Sequence, residues 1–199
     1  MGKTHDLNER EASTMLMAYE LGLEAYFWHV LKGNPAKTLP YHSNQHLFTV
    51  ALNGALSAKD ENLDFHTVKN LFIAGLYHDW NHTGTSDEGK NIPAALAGFR
   101  NAMKIPTLQL GKAEVWDVER LISATDSRRD KSIPLLADER IIRDADLSQW
   151  AEPDYEAFLE GLSEEFGTDV TAETTKQFLS QKPLKTQWVR DKLHKAGWV

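Results

Sequence analysis

Apolar residues recur at steps of three and four through most of this chain, the period of helices that bury one face. Over residues 11–31, Met15, Leu16, Tyr19, Leu23, Tyr26, Phe27 and Val30 keep that step until Gly33-Asn34-Pro35 stops it, which predicts a first core-facing helix. A second helix is predicted to begin near Ser43 and to carry Leu47, Val50, Ala51 and Leu56. A third follows Asp64 and carries Val68, Leu71, Phe72 and Leu76 into His78. Polar, glycine-containing sequence over 81–91 reads as a loop. Helical patterns resume at about 92–104, 113–125, 136–147, 153–166, 171–180 and 186–195. Strand-like alternation is scarce and no internal repeat is present, so the expected fold is an all-α, single-domain helical bundle over 1–199.

Composition narrows the function classes. The 199 residues are enough for one sizeable core. With 29 Asp and Glu against 22 Lys and Arg, the formal charge is -7, which argues against a broad basic surface for extended nucleic acid. The absence of cysteine excludes disulfides, thiolate-bound zinc and a thiol nucleophile. The first residues form no apolar signal region and no stretch approaches a membrane span, so cytoplasmic residence without membrane contact is expected. Six tryptophans suit a pocket wall, a core or a subunit contact.

Candidate chemistry gathers in three places: His42 and His46, then His78-Asp79 with His82, then Asp144 and Asp146. Imidazole and carboxylate are donors for Zn, Mn, Fe, Co or Ni, and carboxylates also suit Mg. On a helix, His42 and His46 at i and i+4 share a face. His78 and Asp79 cannot share one as regular neighbours, but at a helix end both side chains can turn to one ion. Asp146 would close the set from another helix, which places the site between helices. Each feature alone is better read as ordinary structure: an exposed histidine pair, a helix cap, solvated acids. Their joint occurrence in this order favours a metal site. His29, His66 and His194 are assigned no role.

The order His, His-Asp, Asp resembles that of the HD-domain phosphohydrolases. Tyr41-His42-Ser43-Asn44-Gln45-His46 is similar to the YHNxxH signature of class I cyclic-nucleotide phosphodiesterases, with Ser43 in place of Asn. His78-Asp79-Trp80-Asn81-His82-Thr83-Gly84 is similar to HDxxHxG, with Thr83 in place of the usual Pro. Ala124-Thr125-Asp126-Ser127 and Ala145-Asp146-Leu147-Ser148 resemble two further segments, so the matched region spans about 41–148 and leaves helices over 153–199. In size the chain is closer to small predicted bacterial HD-type phosphohydrolases. The resemblance implies that His46, His78, Asp79 and Asp146 bind one principal divalent ion, with Asp79 bridging if a second is present. It also implies that His42 protonates the leaving oxygen and that His82 lies near the bridging water. Such an ion activates water and polarises phosphorus, so no protein nucleophile is needed.

Weaker candidates are Asp87, Glu88 and Asn91 as supports for water or His82, and Thr125 and Asp126 as supports for a ligating histidine. Arg128, Arg129 and Lys131 could grip a phosphate, although a solvated loop is the slightly favoured reading. Asp144 is expected to support backbone or a cation. The resembled phosphodiesterases are longer and clamp a purine beyond the last ligand. The chain after Asp146 is short, and Gln177-Phe178 does not fall at a matching spacing. The expected partner is a small nucleotide-like phosphate, with a cyclic nucleotide narrowly ahead of a nucleoside mono- or triphosphate. The competing expectation is a metal-stabilised regulatory domain without turnover.

Overall fold

The structure, a computed structural model, describes residues 7–129, 133–181, 184 and 186–198. Helix α1 (Glu9–Leu21) opens with a reciprocal cap, in which the Glu11 amide donates to Asn8 Oδ1 and the Asn8 amide to Glu11 Oε2, each at 3.0 Å. It ends at Gly22, whose φ of 69° is the left-handed conformation that glycine adopts without a Cβ penalty. A new helix, α2 (Glu24–Gly33), then starts. The single helix predicted over 11–31 is therefore two, and the break resets the buried face. Leu16 and Tyr19 stand 67% and 71% exposed while Met17, Ala18 and Leu21 turn inward.

The remaining helices fall close to the predicted segments: α3 (Asn44–Asp60), α4 (Phe65–Tyr77), α5 (Glu88–Ala102), α6 (Lys112–Ala124), α7 (Ala137–Asp146), α8 (Tyr155–Phe166), α9 (Ala172–Ser180) and α10 (Gln187–Lys195). Short 3-10 turns occupy Pro106–Leu108 and Ser148–Ala151. No strand occurs among the described residues, and the fold is all-α. None of their helices is long and apolar enough to cross a membrane.

Two cores organise the chain. The larger joins α1 to α7 through Phe27, Phe48, Leu71, Phe72, Phe99 and Leu121. At its centre α3 and α4 pack backbone to backbone, because a Cβ on Gly75 would lie 2.5 Å from Ala51 Cα. The smaller core gathers Trp150, Phe158, Leu179, Val189, Leu193 and Trp198 around Tyr41. It holds the C-terminal helices against the segment that precedes α3. Gly161 of α8 makes that approach possible, since a Cβ there would meet the Pro40 carbonyl oxygen at 2.5 Å. Asp144 ties α10 to α7 by accepting from the Thr186 amide at 2.7 Å and its hydroxyl at 2.8 Å.

Candidate metal centre

Close packing of α3 on α4 sets two histidines face to face. His46 lies in the first turn of α3 and His78 just past the end of α4, with their Nε2 atoms 3.1 Å apart and both side chains 1% exposed. His78 Nδ1–H donates to the Gly75 carbonyl at 2.9 Å, which leaves Nε2 as the free donor atom. Asp79 Oδ2 stands 3.2 Å from His46 Nε2 and 3.1 Å from His78 Nε2. Asp146, at the last turn of α7, brings Oδ1 to 3.2 and 3.4 Å from the same nitrogens.

All four donor atoms fall within 4.8 Å of one another. Atoms about 2.1 Å from a shared ion stand ~3.0 Å apart as octahedral neighbours and ~3.4 Å apart in a tetrahedron. The observed spacings of 3.1 to 3.4 Å lie between those limits. Two imidazole nitrogens and two carboxylate oxygens at these separations could therefore hold a divalent ion. Burial penalises charge on both histidines, but Asp79 and Asp146 outweigh it, so proton affinity is raised at His46 and raised strongly at His78. Burial likewise pushes both aspartates up, and the histidines more than reverse this, holding both carboxyls below the usual range.

The turn that carries Asp79 is fixed by its neighbours. Trp80 stacks on His29 with ring centroids 4.9 Å apart, and the bare Gly98 leaves room for its indole. Asn81 has a φ of 59°, unusual outside glycine, and its amide donates to Asn34 Oδ1 at 3.1 Å.

A second histidine–carboxylate group adjoins this cage. His42 sits in the turn before α3, so it does not share a helical face with His46 as the i, i+4 spacing predicted; the chain instead folds back, and the rings meet edge to face at 5.7 Å. His42 Nδ1–H donates to Glu165 Oε1 in a very short bond, and Nε2 faces Asp79 Oδ2 at 3.9 Å. Glu165 Oε2 accepts from the Tyr41 and His42 amides, each at 3.1 Å. His82 lies flat on His42 at 3.5 Å between centroids, and its Nδ1 lies 3.1 Å from the Gly84 amide nitrogen and 3.4 Å from Glu165 Oε1.

His42, His82 and Glu165 are close enough for a second ion, yet both carboxylate oxygens and His82 Nδ1 already receive N–H donors. The arrangement fits proton handling better than metal binding. Burial raises the Glu165 carboxyl, but the histidines overcome this and hold it well below the usual range. Burial dominates at His42 and lowers its proton affinity despite Glu165 and Asp79.

Glu165 is the residue that sequence reasoning missed. It sits among several glutamates in α8 and has no motif around it. The available signal is Gly161, four residues earlier on the same face, because a glycine inside a well-formed helix marks close approach of another backbone.

The weaker candidates take other positions. Asp87 caps α5 by accepting from the Gly89 amide at 3.0 Å. Asn91 pins the loop through Thr83 and Thr85, away from the four donors. Asp126 is engaged by Arg128, and Arg129 pairs with Glu139 at 3.1 Å, so neither arginine is turned to the cage. Lys131 lies outside the described residues. Glu88 and Thr125 do line the cleft over the cage, a space of about 190 Å³ also bounded by Trp150, Leu162 and Phe178. A larger cavity of about 420 Å³, beside Lys32, Lys37 and Ser43, contains none of the cage donors. Compared with known proteins, the sequence matches no family model and no curated protein.

Proposed function

We propose that this protein is a metal-dependent phosphohydrolase acting on a phosphoester of a nucleotide-like molecule. The observation that carries the reading is the aim of His42: Glu165 fixes Nδ1, and Nε2 is directed at the ion cage from 3.9 Å. A purely structural ion site has no need of such a histidine. A divalent ion held by His46, His78, Asp79 and Asp146 would polarise a phosphoryl oxygen and lower the pKa of coordinated water.

His42 Nε2–H gives its proton to the departing oxygen as the P–O bond breaks, and Glu165 stabilises the ring while it is charged. Burial keeps that ring neutral in the resting site. The negative charge of an entering phosphoester favours uptake of the proton at Nε2. His82, stacked on His42, lines the cleft beside it.

The cleft of about 190 Å³ is smaller than the roughly 300 Å³ at which small-molecule pockets begin. It encloses the phosphoryl group and the adjoining part of the leaving group, while the remainder extends past Phe178, which is 44% exposed. The chemistry therefore reads the phosphate more closely than the base. A metal-supplemented screen of cyclic nucleotides, nucleoside monophosphates and nucleoside triphosphates, with product identification, tests the proposal. A linear monophosphate from a cyclic substrate assigns a phosphodiesterase. Inorganic phosphate assigns a nucleotidase, and triphosphate a triphosphohydrolase. Binding without turnover under every metal would move the assignment to a regulatory domain.

A further inference from the structure

Among the described residues, no lysine or arginine lines the cleft over the cage; its charged groups are Asp79, Glu88 and Asp146, beside His42 and His82. A phosphate anion has more oxygens than an ion and one histidine can satisfy, and the carboxylates repel the rest. Such a site needs neutral donors.

The wall opposite supplies them. Tyr41 is 6% exposed, lines the cleft, and lays its ring 4.5 Å from His42 and 4.9 Å from His46. Its oxygen accepts a short hydrogen bond from Gln149 Nε2, while no bond in which the phenol hydrogen donates is formed with a described residue. Gln149 Oε1 and Trp150 Nε1, on the same wall, are buried and also lack partners. Turning the Gln149 amide over would pair the phenol hydrogen but leave amide hydrogens unmet instead. Either way this wall holds donor hydrogens without an acceptor among the described residues, an uncommon condition for buried polar groups.

We propose that the Tyr41 hydroxyl, positioned by Gln149, is a neutral hydrogen-bond donor to a phosphoryl oxygen of the ligand. This rests on the phosphohydrolase reading and assigns the residue that grips the phosphate where a cationic side chain is absent. Phenol suits the role because a neutral hydroxyl offers one hydrogen without adding charge beside Asp79 and Asp146.

The test is calorimetric titration of inorganic phosphate into manganese-loaded protein, which requires no turnover. Tyr41→Phe keeps the ring and should weaken phosphate binding roughly tenfold or more, the scale of a hydrogen bond to a charged group, with manganese content unchanged. Gln149→Leu should weaken it as well, and the double variant should bind no worse than Tyr41→Phe alone, a non-additivity that a merely structural role would not produce. Equal phosphate affinity in Tyr41→Phe and parent, or no phosphate binding by the loaded parent, overturns the inference. The two readings fail separately. Hydrolysis by the parent with Tyr41-independent phosphate binding leaves the enzyme and removes this donor; Tyr41-dependent binding without hydrolysis of any substrate does the reverse.

Discussion

Two groups of histidine and carboxylate lie side by side in this molecule, and their hydrogen bonds separate them. In the first, the nitrogen–nitrogen and nitrogen–oxygen spacings among His46, His78, Asp79 and Asp146 are 3.1 to 3.4 Å, and the Nδ1 hydrogen of His78 goes to the Gly75 carbonyl. In the second, Glu165 accepts the His42 ring N–H and the Tyr41 and His42 amides, and His82 Nδ1 accepts the Gly84 amide. Composition and proximity do not distinguish them. What differs is how far the acceptors are already satisfied, and the less satisfied set is the better candidate for a cation.

The sharpest way to break this comparison is to remove one member of each group and weigh the metal. His78→Ala or Asp79→Ala should strip most of the ion during dialysis, whereas Glu165→Gln should retain a full complement by elemental analysis. Metal loss from Glu165→Gln equal to that from His78→Ala would show that both groups hold ions. Loss of the ion should also lower the melting temperature, because the donors join three helices.

Rates should separate the groups in the opposite sense. His42→Ala should keep its ion and lose on the order of a hundredfold in turnover of a substrate with a poor leaving group. Glu165→Gln, acting through His42, should lose roughly tenfold. A leaving group already stable as an anion should mask both defects in steady-state assays. Equal defects on both kinds of substrate would assign His42 to site ordering instead.

A smaller effect is expected from pH. His46 and His78 hold protons more tightly in the folded metal-free protein than in the unfolded chain. Their contribution to its stability is complete below the unfolded value of about 6.5 and is lost as pH rises through the raised folded values. An ion needs those nitrogens unprotonated, so the gap in melting temperature between loaded and metal-free protein should widen as pH rises over that range. A gap that narrows would place the ion elsewhere. The smallest effect belongs to Arg128→Ala, which should leave metal content, turnover and melting temperature unchanged, since Arg128 is exposed and engages Asp126 beside it.

Helix positions were legible in the sequence because each pattern carries its own period and stop, and α3 to α10 begin within a few residues of the predicted starts. The break at Gly22 was not, because apolar residues continue through it and only the left-handed turn shifts their phase. The four cage residues stood out by motif. His42 was legible as a residue but not as a geometry, since it precedes the helix that its spacing to His46 suggested. Arg128 and Arg129 looked free in sequence because Asp126 and Glu139, which engage them, meet them only through the folded loop. Glu165 had no local signature; its role depends on Gly161 letting one helix rest on the Pro40 carbonyl.

The bonds from Glu165 back to the Tyr41 and His42 amides span 124 and 123 residues. Closing so long a loop costs more chain entropy than the local contacts of α3 with α4. The four cage donors are all in place by residue 146 and do not include Glu165. The histidine that faces the cage therefore takes its orientation from a helix, α8, that contributes none of the four donors.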